Sequence, residues 1–288
     1  MIIAATEAAL KVEIIEDPTD PRIADYGLAR DGQLRRHHGL FLAEGRLVVR
    51  RLLDASRFRI RSLLSTRRAL DDLLDVLAGR DSLRAYQASI ETIRAIVGFK
   101  FHRGCLALGE QGRPTPPDEV IAPAGPRIVL ALEGLADPDN VGAVFRNASA
   151  FGAAGVLLSR GCADPLYRKA VRVSMGATLA IPFARTEWAD GLAALRGAGY
   201  VLVALTPDRR ADAIDAVAAR RVPSGRLALI VGAEGVGLSQ ESRAAADLRV
   251  RIPMAPGADS LNVATACGIA LHRLTVHTGS GIMTGDRS

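Results

Sequence analysis

Aromatic residues make up 4% of this 288-residue chain, cysteine occurs three times, and lysine is confined to positions 11, 100 and 169. Each scarcity excludes something. Cys105, Cys162 and Cys267 are odd in number and far apart, and no Cys-x-x-Cys occurs. Neither a disulfide framework nor a thiolate zinc site is expected, and the setting is a reducing, cytoplasmic one. The five histidines form no His-x-x-x-His pair around an acid, so a zinc hydrolase lacks its ligands and no metal is expected. Apolar runs such as Tyr200–Leu205 fall far short of the roughly 18 residues that cross a bilayer, so no membrane partner is expected. The N-terminus carries Glu7, Glu13, Glu16 and Asp17, which argues against a secretory signal. Gly-x-x-x-x-Gly-Lys and Gly-x-Ser-x-Gly are both missing, which excludes that phosphate loop and a nucleophile elbow.

The remainder describes a globular protein with a basic bias. About half the residues (49%) are apolar, and the length is comfortable for two domains. The net charge is +6, carried almost entirely by arginine. Residues 22–68 hold twelve arginines against Asp25, Asp31, Glu44 and Asp54; such a stripe suits a polyanion, although an arginine-rich genome would raise the count as well. Proline occupies positions 114, 116, 117, 123 and 126, a density that breaks helices and central strands. A semi-rigid linker is therefore expected over 111–125. It divides a substrate-binding α/β domain (20–110) from a second domain (126–277), with 1–19 and 278–288 as loose ends.

The pattern in both parts is α/β. In the first, strands are expected at Phe41–Glu44, Phe58–Leu64, Leu83–Gln87 and Cys105–Leu108. Helices are expected from Gly45 to Leu53, over Arg67–Ala78 and near Ser89–Val97. In the second, Arg127–Leu132, Val156–Ser159, Tyr200–Leu205, Leu227–Val231 and Leu248–Ile252 read as strands, with a helix that follows Asp137 and Asp139 and runs to Phe151, and further helices at 166–175, 187–197, 239–246 and 262–275. Regular alternation with continuous apolar strands points to a parallel doubly wound sheet.

Three segments of the second domain carry polar residues beside small ones at strand ends and helix starts: Asn140-Val-Gly-Ala-Val-Phe-Arg146, Gly232-Ala-Glu-Gly-Val-Gly-Leu-Ser239, and Ile252-Pro-Met254 continuing to Ser260-Leu-Asn262. Ligands gather at such places in open α/β sheets. Asn140 and Arg146 lie nearly two turns apart on one helix. A guanidinium near a helix N-terminus suits a phosphate, and an exposed helix arginine is the plain alternative. Asn140 and Ser260 each read as an N-cap, as a ligand contact, or both. Glu234 sits in a glycine-rich turn whose Gly-x-x-Gly-x-Gly spacing is not the dinucleotide fingerprint.

In order and spacing, the three segments resemble the SpoU/TrmH branch of the SPOUT methyltransferases. The resemblance spans roughly 127–275. It implies a fold with a C-terminal trefoil knot on the parallel sheet, preceded by a small α/β RNA-binding domain. It implies S-adenosylmethionine-dependent methylation of a ribose 2′-hydroxyl in RNA, ribosomal RNA being favoured over transfer RNA, and a homodimer. It assigns catalytic roles to Arg146, Asn140, Glu234, Ser260 and Asn262, and cofactor contacts to Gly232, Ala233, Ile252, Met254 and Leu261. For Arg146, orientation and phosphate binding are favoured over proton abstraction, because a free guanidinium keeps its proton past about pH 12. Phe41-Leu-Ala-Glu-Gly-Arg46 and His102-Arg-Gly104 resemble the RNA-binding domain of the same family more loosely, placing Arg46, Arg50, His102 and Arg103 on RNA. The alternative is a non-catalytic RNA-binding protein on the same fold.

Overall fold

A computed structural model describes residues 10–28, 34, 38–54, 57–121, 127–218 and 225–277. Two compact units emerge from its contacts: residues 1–113 with 165–180, and residues 114–164 with 181–288. The expected loose ends at 1–9 and 278–288 lie outside the described residues.

The first unit is built on β1 (Val12–Ile14), β2 (Leu40–Glu44), β3 (Ile60–Ser65), β4 (Arg84–Gln87) and β5 (Cys105–Glu110), in the order β1-β4-β3-β5-β2. β1 and β3 run parallel to β4, whereas β5 is antiparallel to both β3 and β2. Val12–Ile14 was expected in a loose terminus; its main chain instead extends the sheet beside β4. Every residue of β2 is buried, and Phe41 meets Phe58 edge-to-face at 5.0 Å, a favoured aromatic geometry.

The helix expected over Arg67–Ala78 is two short ones, Arg67–Asp71 and Leu74–Leu77. Arg50 explains the break: its Nη2 donates to the Asp72 carbonyl at 2.9 Å, while the Val76 N–H turns to Leu73. A side chain inserted into the ladder ends a helix. The expected helix 166–175 shortens to Arg168–Val173, followed by Ala177–Ala180. This stretch belongs by its contacts to the first unit. Arg168 pairs with the buried Glu44 at 3.0 Å and lies 3.6 Å from the Phe99 ring centroid.

The second unit holds β6 (Arg127–Glu133), β7 (Gly155–Leu158), β8 (Phe183–Arg185), β9 (Val201–Leu205), β10 (Asp212–Ala213), β11 (Arg226–Gly232) and β12 (Leu248–Arg251). Their order is β10-β12-β9-β11-β6-β7-β8, and every pairing is parallel. β6 and β11 are buried except at their ends, as befits strands covered on both faces. Part of the expected linker joins this core. Pro117–Ile121 is a short helix whose Val120 and Ile121 are buried against Val129, Leu157 and Leu195. Proline is tolerated there because it occupies the first helical position, where its missing N–H costs nothing.

Candidate active site

The three polar segments emerge from the carboxyl ends of β6, β11 and β12, all in the second unit. β6 and β11 are adjacent, in a register that sets Glu133 beside Gly232.

After β6, the chain turns through Gly134, whose N–H donates to Ser159 Oγ at 2.9 Å. It then enters the helix Pro138–Ala150, capped by Asp137, whose Oδ1 accepts from the Asp139 N–H at 2.9 Å. Asp137 therefore holds the N-cap role considered for Asn140, which lies within the first turn. Its Oδ1 accepts from Asn262 Nδ2 at 3.0 Å. Arg146 is exposed on the same helix and makes no ion pair or hydrogen bond among the described residues.

After β11 the backbone doubles back: Ala233 and Gly237 form an isolated bridge, with the Gly237 N–H on the Ala233 carbonyl at 2.9 Å. Gly235 and Gly237 take positive φ of 81° and 70°, which glycine adopts without penalty. The pinch is tightest at Gly232, where a Cβ would stand 2.6 Å from the Gly237 carbonyl carbon and the Leu238 nitrogen. At the turn's exit Ser239 caps the helix Gln240–Ala245.

The helix expected from 262 begins at Val263. Ser260 is exposed and does not cap it; Asn262 does, its Oδ1 accepting from the Ala264 and Thr265 N–H groups at 3.0 and 3.3 Å. That orientation leaves the Nδ2 hydrogens to face two acceptors, Asn140 Oδ1 and Glu234 Oε1, the latter at 2.9 Å. A flipped amide would set donors against donors at the cap, so the hydrogen-bond network fixes the assignment. Glu234 Oε1 also receives the Val263 N–H at 3.4 Å. Asn140, Glu234 and Asn262 thus meet at one point.

Sequence reasoning missed the groups that hold this arrangement. Glu133 Oε2 accepts from the Ser239 N–H at 3.1 Å and from Ser242 Oγ at 2.7 Å. Ser242, fully buried, accepts in turn from Trp188 Nε1 at 2.7 Å. Glu133 therefore ties the exit of the glycine turn to the strand beside its entrance. An acid directly at the end of an apolar strand was the available signal. Asn147 Nδ2 donates to the Ala264 carbonyl at 2.6 Å, pinning the Asn140 helix to the Asn262 helix. The small face of the last helix serves this packing within the chain: Ala264 and Ala270 are buried, and a Cβ on Gly268 would stand 3.1 Å from Asn147 Nδ2.

Ile252 and Met254 are half-buried on the loop after β12, and Leu261 is exposed. The N–H groups of Met254 and Leu261 have no acceptor among the described residues. Open main-chain donors beside apolar side chains suit a purine-bearing cofactor. Among the described residues no cluster of His, Cys, Asp or Glu could hold a metal ion, and no helix is long and apolar enough to cross a membrane.

The family model described as the SpoU rRNA methylase family matches residues 127–272, the span that contains every group of the site. A relative from Mycobacterium tuberculosis, named an uncharacterized tRNA/rRNA methyltransferase, is 43% identical over 281 residues, covering 94% of this chain and 96% of its own. A 23S rRNA (guanosine-2′-O-)-methyltransferase from a Burkholderia species is 33% identical over 198 residues, 68% of this chain and 78% of its own. The crystal structure of an AdoMet-bound rRNA methyltransferase from Sinorhizobium meliloti superposes with a TM-score of 0.78 at 29% identity, covering 92% of this chain and 98% of that one. With its parallel sheet, its convergent Asn140, Glu234 and Asn262, and these relatives, the chain belongs to the SpoU rRNA methylase family.

Proposed function

We propose that this protein transfers a methyl group from S-adenosylmethionine to a ribose 2′-hydroxyl of ribosomal RNA. The observation that carries the reading is the meeting of Asn140, Glu234 and Asn262 outside the carboxyl ends of a parallel sheet, where such sheets bind ligands. The relatives named for rRNA support the substrate class.

S-adenosylmethionine, when bound, supplies a methyl group already activated on a sulfonium. The chain's tasks are then to align the acceptor and exclude water. Gly232 and Ala233 bring main chain close to the ligand, Ile252 and Met254 supply apolar cover, and Leu261 offers an open N–H. Glu234 and Asn140 fix the Asn262 amide, and with it the loop that carries Ser260 toward the ribose. Arg146, exposed and with its side chain unpaired among the described residues, takes an RNA phosphate and so orients the sugar.

His102 and Arg103 line one cleft of the first unit, which supports their RNA-binding role; Arg46 lines it too, with its guanidinium paired to Asp72. Arg50 does not line it; its guanidinium is engaged by Asp75 and the Asp72 carbonyl. The trefoil knot, the homodimer and the cytoplasmic setting remain part of this proposal. Exposed Leu261 and Ile269 support self-association, which sedimentation of the full chain tests.

The decisive experiment incubates the full chain with radiolabelled S-adenosylmethionine and unmodified ribosomal or transfer RNA, followed by nucleoside mass spectrometry. A 2′-O-methyl mark on ribosomal RNA is expected. Arg146→Ala should lower the rate on the order of a hundredfold, the scale of a misaligned reactant, with cofactor affinity kept. RNA binding without any transfer would favour the non-catalytic reading.

A further inference from the structure

The cleft in the first unit has a volume of about 560 Å³, within the roughly 300–1,000 Å³ of ligand pockets. Its polar lining is mostly basic, with Arg46, Arg68, His102 and Arg103 beside Asp72, which pairs with Arg46. Arg68 and Arg103 are exposed, with side chains unpartnered among the described residues. His102 Nδ1 lies 3.1 Å from Arg94 Nη2. Since arginine only donates, that nitrogen accepts, and the ring N–H stands at Nε2. Apolar side chains complete the lining: Leu47, 62% exposed, with Ile90 and Met175.

Met175 is the unusual member. Among the described residues it alone, glycines aside, has positive φ, at 55°. The hydrogen bonds give the reason. The helix Arg168–Val173 ends with the Gly176 N–H on the Val171 carbonyl and the Met175 N–H on the Arg172 carbonyl. This is the Schellman closure, in which the residue at Met175's position adopts the left-handed conformation and is usually glycine. A side chain there carries strain that glycine would not. Arg51 donates to the Met175 carbonyl at 2.7 Å and holds it in place. The helix stop does not need the thioether, which instead lines the cleft.

We propose that this cleft receives one unpaired nucleotide of the RNA, its phosphate on Arg68 and Arg103 and its base against Met175 and Leu47. A base can reach such a wall only outside a helical stack, and a polarisable thioether fits a flat aromatic face. The inference rests on the RNA methyltransferase reading and adds in what form the first unit takes hold of the substrate.

Met175→Gly separates the two roles of the residue. It relieves the strain, so the melting temperature should stay or rise, while the apolar wall is lost. Binding of the full chain to a hairpin with an unpaired loop is compared with binding to a blunt duplex of equal length. The wild type should prefer the hairpin, and Met175→Gly should weaken hairpin binding roughly fivefold to tenfold, the scale of one lost base contact, with duplex binding and S-adenosylmethionine affinity unchanged. Leu47→Ser, at an exposed position, should act in the same direction. Equal affinity of the wild type for both RNAs, or a stable Met175→Gly variant with full hairpin preference, overturns the inference. Absence of methyl transfer by the wild type to any RNA would instead overturn the functional reading beneath it.

Discussion

One amide does two jobs at the centre of the site. Asn262 Oδ1 caps the last helix and Nδ2 joins Glu234 to Asn140. The two jobs separate by substitution. Aspartate caps a helix as well as asparagine, so Asn262→Asp should keep the cap, and its loss of thermal stability should reflect only the broken bridge. It replaces the bridging donor with a carboxylate facing Glu234, and like charges at hydrogen-bond distance repel. Methyl transfer should therefore fall by at least about tenfold, a cost of about 1.4 kcal/mol. Asn262→Ala should lose activity and also about 1 kcal/mol of stability with the cap. Equal activity in wild type and Asn262→Asp, measured by initial rates, would remove the bridge from the mechanism. At this scale the sequence was legible in residue type but not in role. Asn140, Glu234 and Asn262 stood out beside glycines, yet only the folded chain shows that Asp137 and Asn262, not Asn140 and Ser260, are the caps. Glu133 passed unnoticed because its partners Ser239 and Ser242 lie more than a hundred residues away, a separation no local pattern encodes.

Elements were legible where they are long and buried. The β6 and β11 strands and the helix Pro138–Ala150 follow their apolar pattern closely. The β8 and β10 strands, of three and two residues, are too short for any period to register. The helix Pro117–Ile121 hid behind its prolines, and the break after Asp71 depends on Arg50, which acts from another helix. The glycine turn offers the sharpest test of an element. Even a methyl at Gly232 would collide with main-chain atoms of Gly237 and Leu238, which cannot rotate away. Gly232→Ala should open the turn, shift Glu234 and weaken S-adenosylmethionine binding. Gly197, near the end of the helix Trp188–Gly197, meets nothing within 4 Å. Gly197→Ala should stabilise by up to about 1 kcal/mol with cofactor binding intact. Calorimetric titration and thermal unfolding of both variants check this contrast; unchanged cofactor affinity in Gly232→Ala would move the cofactor away from the turn.

At the scale of the whole molecule, all three cysteines are buried. Burial pushes the Cys105 and Cys267 thiols from 9.0 up to about 12. The raised folded values mean that this contribution to stability is complete below pH 9 and fades as pH climbs from 9 toward 12, where the unfolded chain releases its protons first. Iodoacetamide at pH 8 should leave both thiols unmodified in the native protein and label both in urea, read by mass spectrometry; native labelling would mean the core opens locally.

Charge acts at the same scale but through the solvent. The net charge of +6 draws RNA to the surface, but each phosphate fixed by an arginine also releases counterions. For a single strand each such contact contributes about 0.7 to the slope of log affinity against log salt. If Arg68 and Arg103 together hold one phosphate in the cleft, the Arg68→Ala/Arg103→Ala double variant should bind more weakly at low salt. Its slope should be shallower by about 0.7, one such increment. The affinities of variant and wild type should therefore converge as salt rises. Parallel lines would mean something different. The two guanidinium groups would then act on bases, or on the shape of the cleft, and the electrostatic hold on the RNA would belong to other arginines of the 22–68 stripe.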